Sequence, residues 1–101
     1  MAEYIFNGTG TKWAVNITIQ DFSMDEDEWK IVVSRGPKEV VFTKENSIRD
    51  INGQWYICVL SEDLGPGQFY ITFYAYVVDG DFPGGIRPEI RRFEMINNKP
   101  L

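Results

Sequence analysis

Residues 12–20 alternate apolar and polar side chains, with Trp13, Val15, Ile17 and Ile19 on one face and Lys12, Asn16, Thr18 and Gln20 on the other. A repeat of two is the signature of a half-buried β-strand, because successive side chains of extended backbone point to opposite sides. The same alternation returns at Trp29, Ile31 and Val33 against Lys30, Val32 and Ser34. Gly36-Pro37 then interrupts the chain and Val40, Val41 and Phe42 resume it, which predicts a hairpin. A polar stretch over 44–50 ends at the turn pair Asn52-Gly53, after which Trp55, Ile57 and Val59 alternate with Tyr56, Cys58 and Leu60.

The longest alternating run covers residues 69–78. Phe69, Ile71, Phe73, Ala75 and Val77 share one face, and Tyr70, Thr72, Tyr74, Tyr76 and Val78 share the other. Residues 61–67 before it are a turn or a single helical turn, and residues 79–85 after it, with Gly80, Gly84 and Gly85, are a loop. A last strand is expected from about residue 89 to 96, and Tyr4 and Phe6 suggest a short edge strand. Residues 1–10 and 97–101 read as flexible ends. No helical periodicity, internal repeat or low-complexity segment interrupts this order. The expected fold is therefore all-β: a single antiparallel β-sandwich, immunoglobulin-like, of six or seven strands spanning residues 1–101. A small closed β-barrel is the alternative, since strand count alone does not separate the two.

Composition narrows the reading. Aromatic residues make up 15% of the 101-residue chain, which suits a small core that must be filled by few side chains. The net charge of −5 argues against nucleic acid as a partner, because phosphate binding needs clustered Lys and Arg. No apolar run approaches the roughly 18 residues that span a bilayer, so no membrane partner is expected. The first residues show no basic segment followed by a long apolar one, so no signal peptide is expected.

Candidate chemistry is sparse. The chain has no histidine, which removes the commonest general base, the usual nucleophile partner and the commonest zinc ligand. Cys58 is the single cysteine, so no internal disulfide forms, and core packing is its expected role. Neither Gly8-Thr9-Gly10 nor Gly65-Pro66-Gly67 has the spacing or the Lys-Ser/Thr pair of a phosphate-binding loop. No catalytic residue, metal site or cofactor is expected, and the chain reads as a non-enzyme.

Four clusters are candidates for binding. Asp21, Asp25, Glu26, Asp27 and Glu28 supply carboxylates for a hard cation such as calcium, but the spacing lacks the turn glycine of a helix-loop-helix site, and a solvated loop is favoured. Asp79 and Asp81 are a second acidic pair, for which turn chemistry is favoured, with Phe82-Pro83 anchoring the loop on the core. Arg87, Arg91 and Arg92, with Lys99, form a basic counterpoint that reads as a solvated strand edge. Tyr70, Tyr74 and Tyr76 form an aromatic ladder on one strand face, a composition found at protein interfaces and in carbohydrate-binding modules. Two sequons, Asn7-Gly8-Thr9 and Asn16-Ile17-Thr18, matter only in a secreted eukaryotic protein.

The second half has a distinctive plan: Asn52-Gly53-Gln54-Trp55-Tyr56, then Leu60-Ser61-Glu62-Asp63-Leu64-Gly65-Pro66-Gly67, then Asp79-Gly80-Asp81-Phe82-Pro83-Gly84-Gly85-Ile86-Arg87. It resembles small β-sandwich domains in prophages and phages of gut Bacteroides-type bacteria, at the head of tail-fibre or baseplate proteins. Asp21-Phe22-Ser23-Met24 resembles the first loop of that family, and the similarity extends over about residues 12–96. The resemblance implies a structural domain working through protein–protein assembly, with other structural proteins or copies of itself as partners and a homo-oligomer as one form. It also implies a place in the virion, or in the bacterial cytoplasm before assembly, with an extracellular location left open. A carbohydrate-binding module using Tyr70, Tyr74, Tyr76 and a surface Trp is the alternative function.

Overall fold

The computed structural model describes residues 3–4, 10–60, 65 and 67–97. Eight strands appear in it: β1 (Glu3–Tyr4), β2 (Gly10–Val15), β3 (Trp29–Arg35), β4 (Lys38–Phe42), β5 (Ile48–Arg49), β6 (Trp55–Leu60), β7 (Gly67–Val78) and β8 (Ile86–Asn97). They form two sheets, ordered β1-β8-β7-β3-β4 and β2-β6-β5. Every pairing is antiparallel except the two-residue contact of β1 with β8, where Glu3 lies beside Met95 and Tyr4 beside Ile96.

The alternation decides which residues meet between the sheets. Trp29, Ile31 and Val33 of β3, Phe42 of β4, and Phe69 and Ile71 of β7 pack against Val15 of β2 and Ile57 and Val59 of β6. Burying each such side chain stabilises the fold by roughly 1.5–3 kcal/mol. Aromatic rings bridge the layers. Trp13 stacks on Phe69 with centroids 6.5 Å apart, and Trp55 meets Trp29 edge-on at 5.4 Å.

The expected all-β fold and its antiparallel sheets are present, but the closed barrel is not. Among the described residues no pairing joins one sheet to the other, because β2 and β5 both pair only with β6 and β4 pairs only with β3.

Two strand boundaries differ most from the expected ones. The strand predicted over residues 12–20 ends at Val15, where β6 also runs out. The Gln54 side-chain Nε2 then donates to the carbonyl of Val15, closing the end of the ladder. Ile17 leaves the strand yet still packs on the core. The last strand starts at Ile86 rather than near residue 89, because β7 pairs with β8 all the way to Val78. The short edge strand expected near Tyr4 is β1, and the two-residue β5, in a stretch read as polar, raises the count from seven to eight. The turns at Gly36 and Gly53 stand where expected, both with positive φ. Gly10 and Asn97, assigned to the flexible ends, are strand residues. Phe6, the first sequon (Asn7, Gly8, Thr9), the turn residues Ser61, Glu62, Asp63, Leu64 and Pro66, and Lys99 lie outside the described residues.

Candidate interaction surface

The outer face of the larger sheet gathers the tyrosine ladder. On β7 the side chains of Tyr70, Thr72, Tyr74, Tyr76 and Val78 turn away from the core, while Phe69, Ile71, Ala75 and Val77 are buried beneath them. All three tyrosines are half-buried, because neighbouring strands stand beside them. Glu94, Ile90 and Pro88 of β8 are their register partners on one side, and Ser34 and Lys30 of β3 flank Tyr70 and Tyr74 on the other. Arg92 lies over the Tyr70 ring at 4.0 Å and Lys30 over the Tyr74 ring at 4.7 Å. Each such contact contributes about 0.5–1 kcal/mol at an exposed site.

Apolar side chains continue the ladder toward one end. Val78, Ile86 and Ile90 are 68%, 37% and 57% exposed, and Val41 adds to the same face from β4. Tyr76, Val78 and Ile86 line an open hollow of about 500 Å³ whose rim carries Glu26, Asp27 and Glu28. The sheet thus offers an apolar floor with an acidic border. Sequence reasoning singled out the tyrosines but missed Ile86 and Ile90. Their alternation with Arg87 and Glu89 carried the signal, overshadowed by the charges between them.

The acidic run is solvated, as expected: Asp21, Asp25, Glu26 and Glu28 are exposed. Asp25 is in addition a clasp between segments far apart in the chain. It accepts hydrogen bonds from Arg49 Nε at 2.8 Å and Trp55 Nε1 at 2.9 Å. The Arg49 bond, then the Trp55 bond, hold its carboxyl below the usual aspartate range. Lys44 Nζ donates to the Asp25 carbonyl, and Trp29 Nε1 donates to that of Met24. Asp27 folds back to accept from the Ser23 amide.

Asp50 organises the turn before β6, accepting from the amides of Asn52 and Gln54 at 2.9 Å. These bonds, led by that of Gln54, lower its pKa. Partial burial and the nearby Asp50 carboxylate push the Tyr56 hydroxyl up. Asp79 Oδ1 accepts from the Asp81 amide at 3.1 Å and its Oδ2 faces Arg87 at 3.6 Å, so turn formation and an ion pair occupy it. Phe82 does not anchor that loop in the core; its side chain is 41% exposed. No group of three carboxylate or thiol residues suited to a metal ion occurs among the described residues.

The arginines do not form one patch. Arg92 belongs to the tyrosine face, whereas Arg87 and Arg91 sit at the alternate positions of β8. Arg91 borders a hollow of about 300 Å³ with Ile17, Phe73 and Phe93, where the smaller sheet fails to cover the larger. The three tryptophans turn inward to the core, so no surface Trp joins the tyrosines.

Cys58 is exposed, contrary to its expected core position. Ile57 and Val59 point inward, so the residue between them must point out, where Lys12 is its cross-strand neighbour. Compared with protein-family models, curated proteins and solved structures, the chain matches none.

Proposed function

We propose that this chain is a non-catalytic assembly domain with an immunoglobulin-like sandwich, a phage or prophage tail or baseplate component that binds neighbouring structural proteins through the outer face of its larger sheet. The observation that carries the reading is the apolar floor of half-buried Tyr74 and Tyr76 and exposed Val78, Ile86 and Ile90, on a sheet face that no other described element covers. Aromatic and aliphatic residues with a charged border are the composition of an interface centre and its rim.

The strand order supports the finer fold. A three-strand sheet β2-β6-β5 faces β8-β7-β3-β4, the arrangement in which an immunoglobulin-type sandwich places its second, fifth and fourth strands opposite its last two and its central hairpin. Where such domains carry an inter-sheet disulfide, between the strands equivalent to β2 and β7, this chain has the Trp13–Phe69 stack. The turn plan of residues 52–87 supports the phage setting.

Hydrogen–deuterium exchange, with and without the products of neighbouring genes, tests the surface. Protection is expected on β7 and β8 around Tyr74, Tyr76, Val78, Ile86 and Ile90, and Val78→Asp should abolish it. A footprint confined to the outer face of the smaller sheet would overturn the reading.

A further inference from the structure

Among the described residues, strand β8 is a sheet edge for most of its length: β1 touches it at Met95 and Ile96, and no other described strand borders residues 86–94 on the side away from β7. The direction of its backbone groups follows from β7. The Tyr76 amide donates to the Glu28 carbonyl at 3.0 Å, on the β3 side. Tyr76 therefore turns its backbone away from β8, and the Tyr76–Pro88 pair is of the non-hydrogen-bonded kind. It follows that Ile86, Pro88, Ile90, Arg92 and Glu94 aim their backbone polar groups at the open edge. Proline fits this placement, since its missing N–H leaves the β7 ladder intact.

We propose that this edge docks a second copy of the chain, the two β8 strands pairing antiparallel about a two-fold axis with Ile90 opposite Ile90. The inference rests on the assembly reading above and names the partner and the register.

Charge order selects that register. With Ile90 at the centre, Glu89 stands opposite Arg91 of the second copy, and the symmetry repeats the pair. Arg87, which faces Asp79 at 3.6 Å and Glu89 at 3.5 Å in its own chain, then stands opposite Phe93, 49% exposed in the single chain. Ile90, 57% exposed alone, is covered by its own counterpart. Sliding the centre to Glu89 sets Glu89 against Glu89 and Arg87 against Arg91. Sliding it to Arg91 sets Arg91 against Arg91. Like charges directly opposite one another destabilise a strand pair. Centring on Pro88 opposes two residues without N–H groups and removes the central hydrogen bonds. In the Ile90 register the Arg92 amide meets the Pro88 carbonyl, so proline costs only the reciprocal bond.

Charges and a proline on an edge also guard sheets against unwanted pairing. What distinguishes β8 is that its acid and base are spaced to complement an inverted copy of themselves. A two-fold contact of this kind is self-complementary and closes after two chains.

The test is sedimentation equilibrium of the full chain and its charge variants over a wide concentration range, with circular dichroism to check folding. The wild type should dimerise. Glu89→Arg alone and Arg91→Glu alone should each weaken the dimer roughly tenfold or more, because two attractive pairs become repulsive. The double variant E89R/R91E should regain dimerisation. An equimolar mixture of the two single variants should form a heterodimer, since the doubly basic edge of one then faces the doubly acidic edge of the other. A wild type that stays monomeric, or a dimer indifferent to the single swaps, overturns the inference. A dimer broken by Val78→Asp but not by the swaps overturns the edge and leaves the tyrosine face as the contact.

Discussion

Trp13 stacks on Phe69 across the two sheets, with an interplanar angle of 15°. Phe69 is fully buried, whereas Trp13 is half-buried at the margin of the same cluster. The pair ties β2 to β7 in a chain whose single cysteine leaves no covalent tie between the layers. Phe69→Ala should therefore cost about 3–5 kcal/mol, the usual range for a buried ring replaced by a methyl group. Combining it with Trp13→Ala should reveal a coupling of about 0.5–1.5 kcal/mol in a double-mutant cycle measured by denaturant unfolding. Strict additivity would show that the stack contributes only buried area.

Asp25 gives the fold an acid-sensitive contribution. Its bonds to Arg49 and Trp55 favour the carboxylate, so its folded pKa lies below the unfolded one. The stability it supplies is complete above the unfolded value and is lost as pH falls through the folded one. Thermal midpoints of the wild type and of Asp25→Asn should thus differ most near neutral pH. The gap should narrow across and below the ordinary aspartate range. A gap constant with pH would assign the effect to shape rather than charge.

Legibility from the sequence followed what alternation can and cannot encode. Inward and outward faces of β3, β6 and β7 were readable because each strand has one core side, and a one-residue shift would reverse every side chain. The end of β2 was not readable, because Ile17 and Ile19 keep the period while their partner strand has run out at Trp55. The Asp25 clasp was equally hidden. Its partners lie 24 and 30 positions away, and nothing local marks them. The tyrosine ladder was visible as a row, but its setting depended on strand neighbours. That Ile90 flanks Tyr74 follows from the β7–β8 register, and Arg92, opposite Thr72, reaches diagonally over Tyr70.

The turn before β6 needs glycine at one position. Gly53 has φ of +85°, and a Cβ there would lie 3.2 Å from Arg49 Nη2. Gly53→Ala should destabilise by about 1–2 kcal/mol, the strain of a left-handed conformation carrying a side chain. Gly80 has no positive φ and open space around it, so Gly80→Ala should be nearly neutral. Denaturation midpoints of the two variants check the contrast. Equal losses would mean that chain flexibility, not turn geometry, sets the effect.

Cys58 separates two expectations that sequence reasoning ran together. As a residue type, free cysteine is usually buried. As a position, residue 58 lies between the inward-facing Ile57 and Val59 and must face outward. Period outweighs type here, because turning Cys58 inward would expel both neighbours, each nearly fully buried. The folded protein should therefore react with a thiol-specific reagent at a rate close to that of the unfolded chain. Cys58→Ser should change stability by no more than about 0.5 kcal/mol, as for a surface substitution. Ile57→Ala, one residue away, should cost about 2–5 kcal/mol. A thiol that reacts only after unfolding, or a serine variant as damaging as Ile57→Ala, would place Cys58 in the core and reverse the facing of β6.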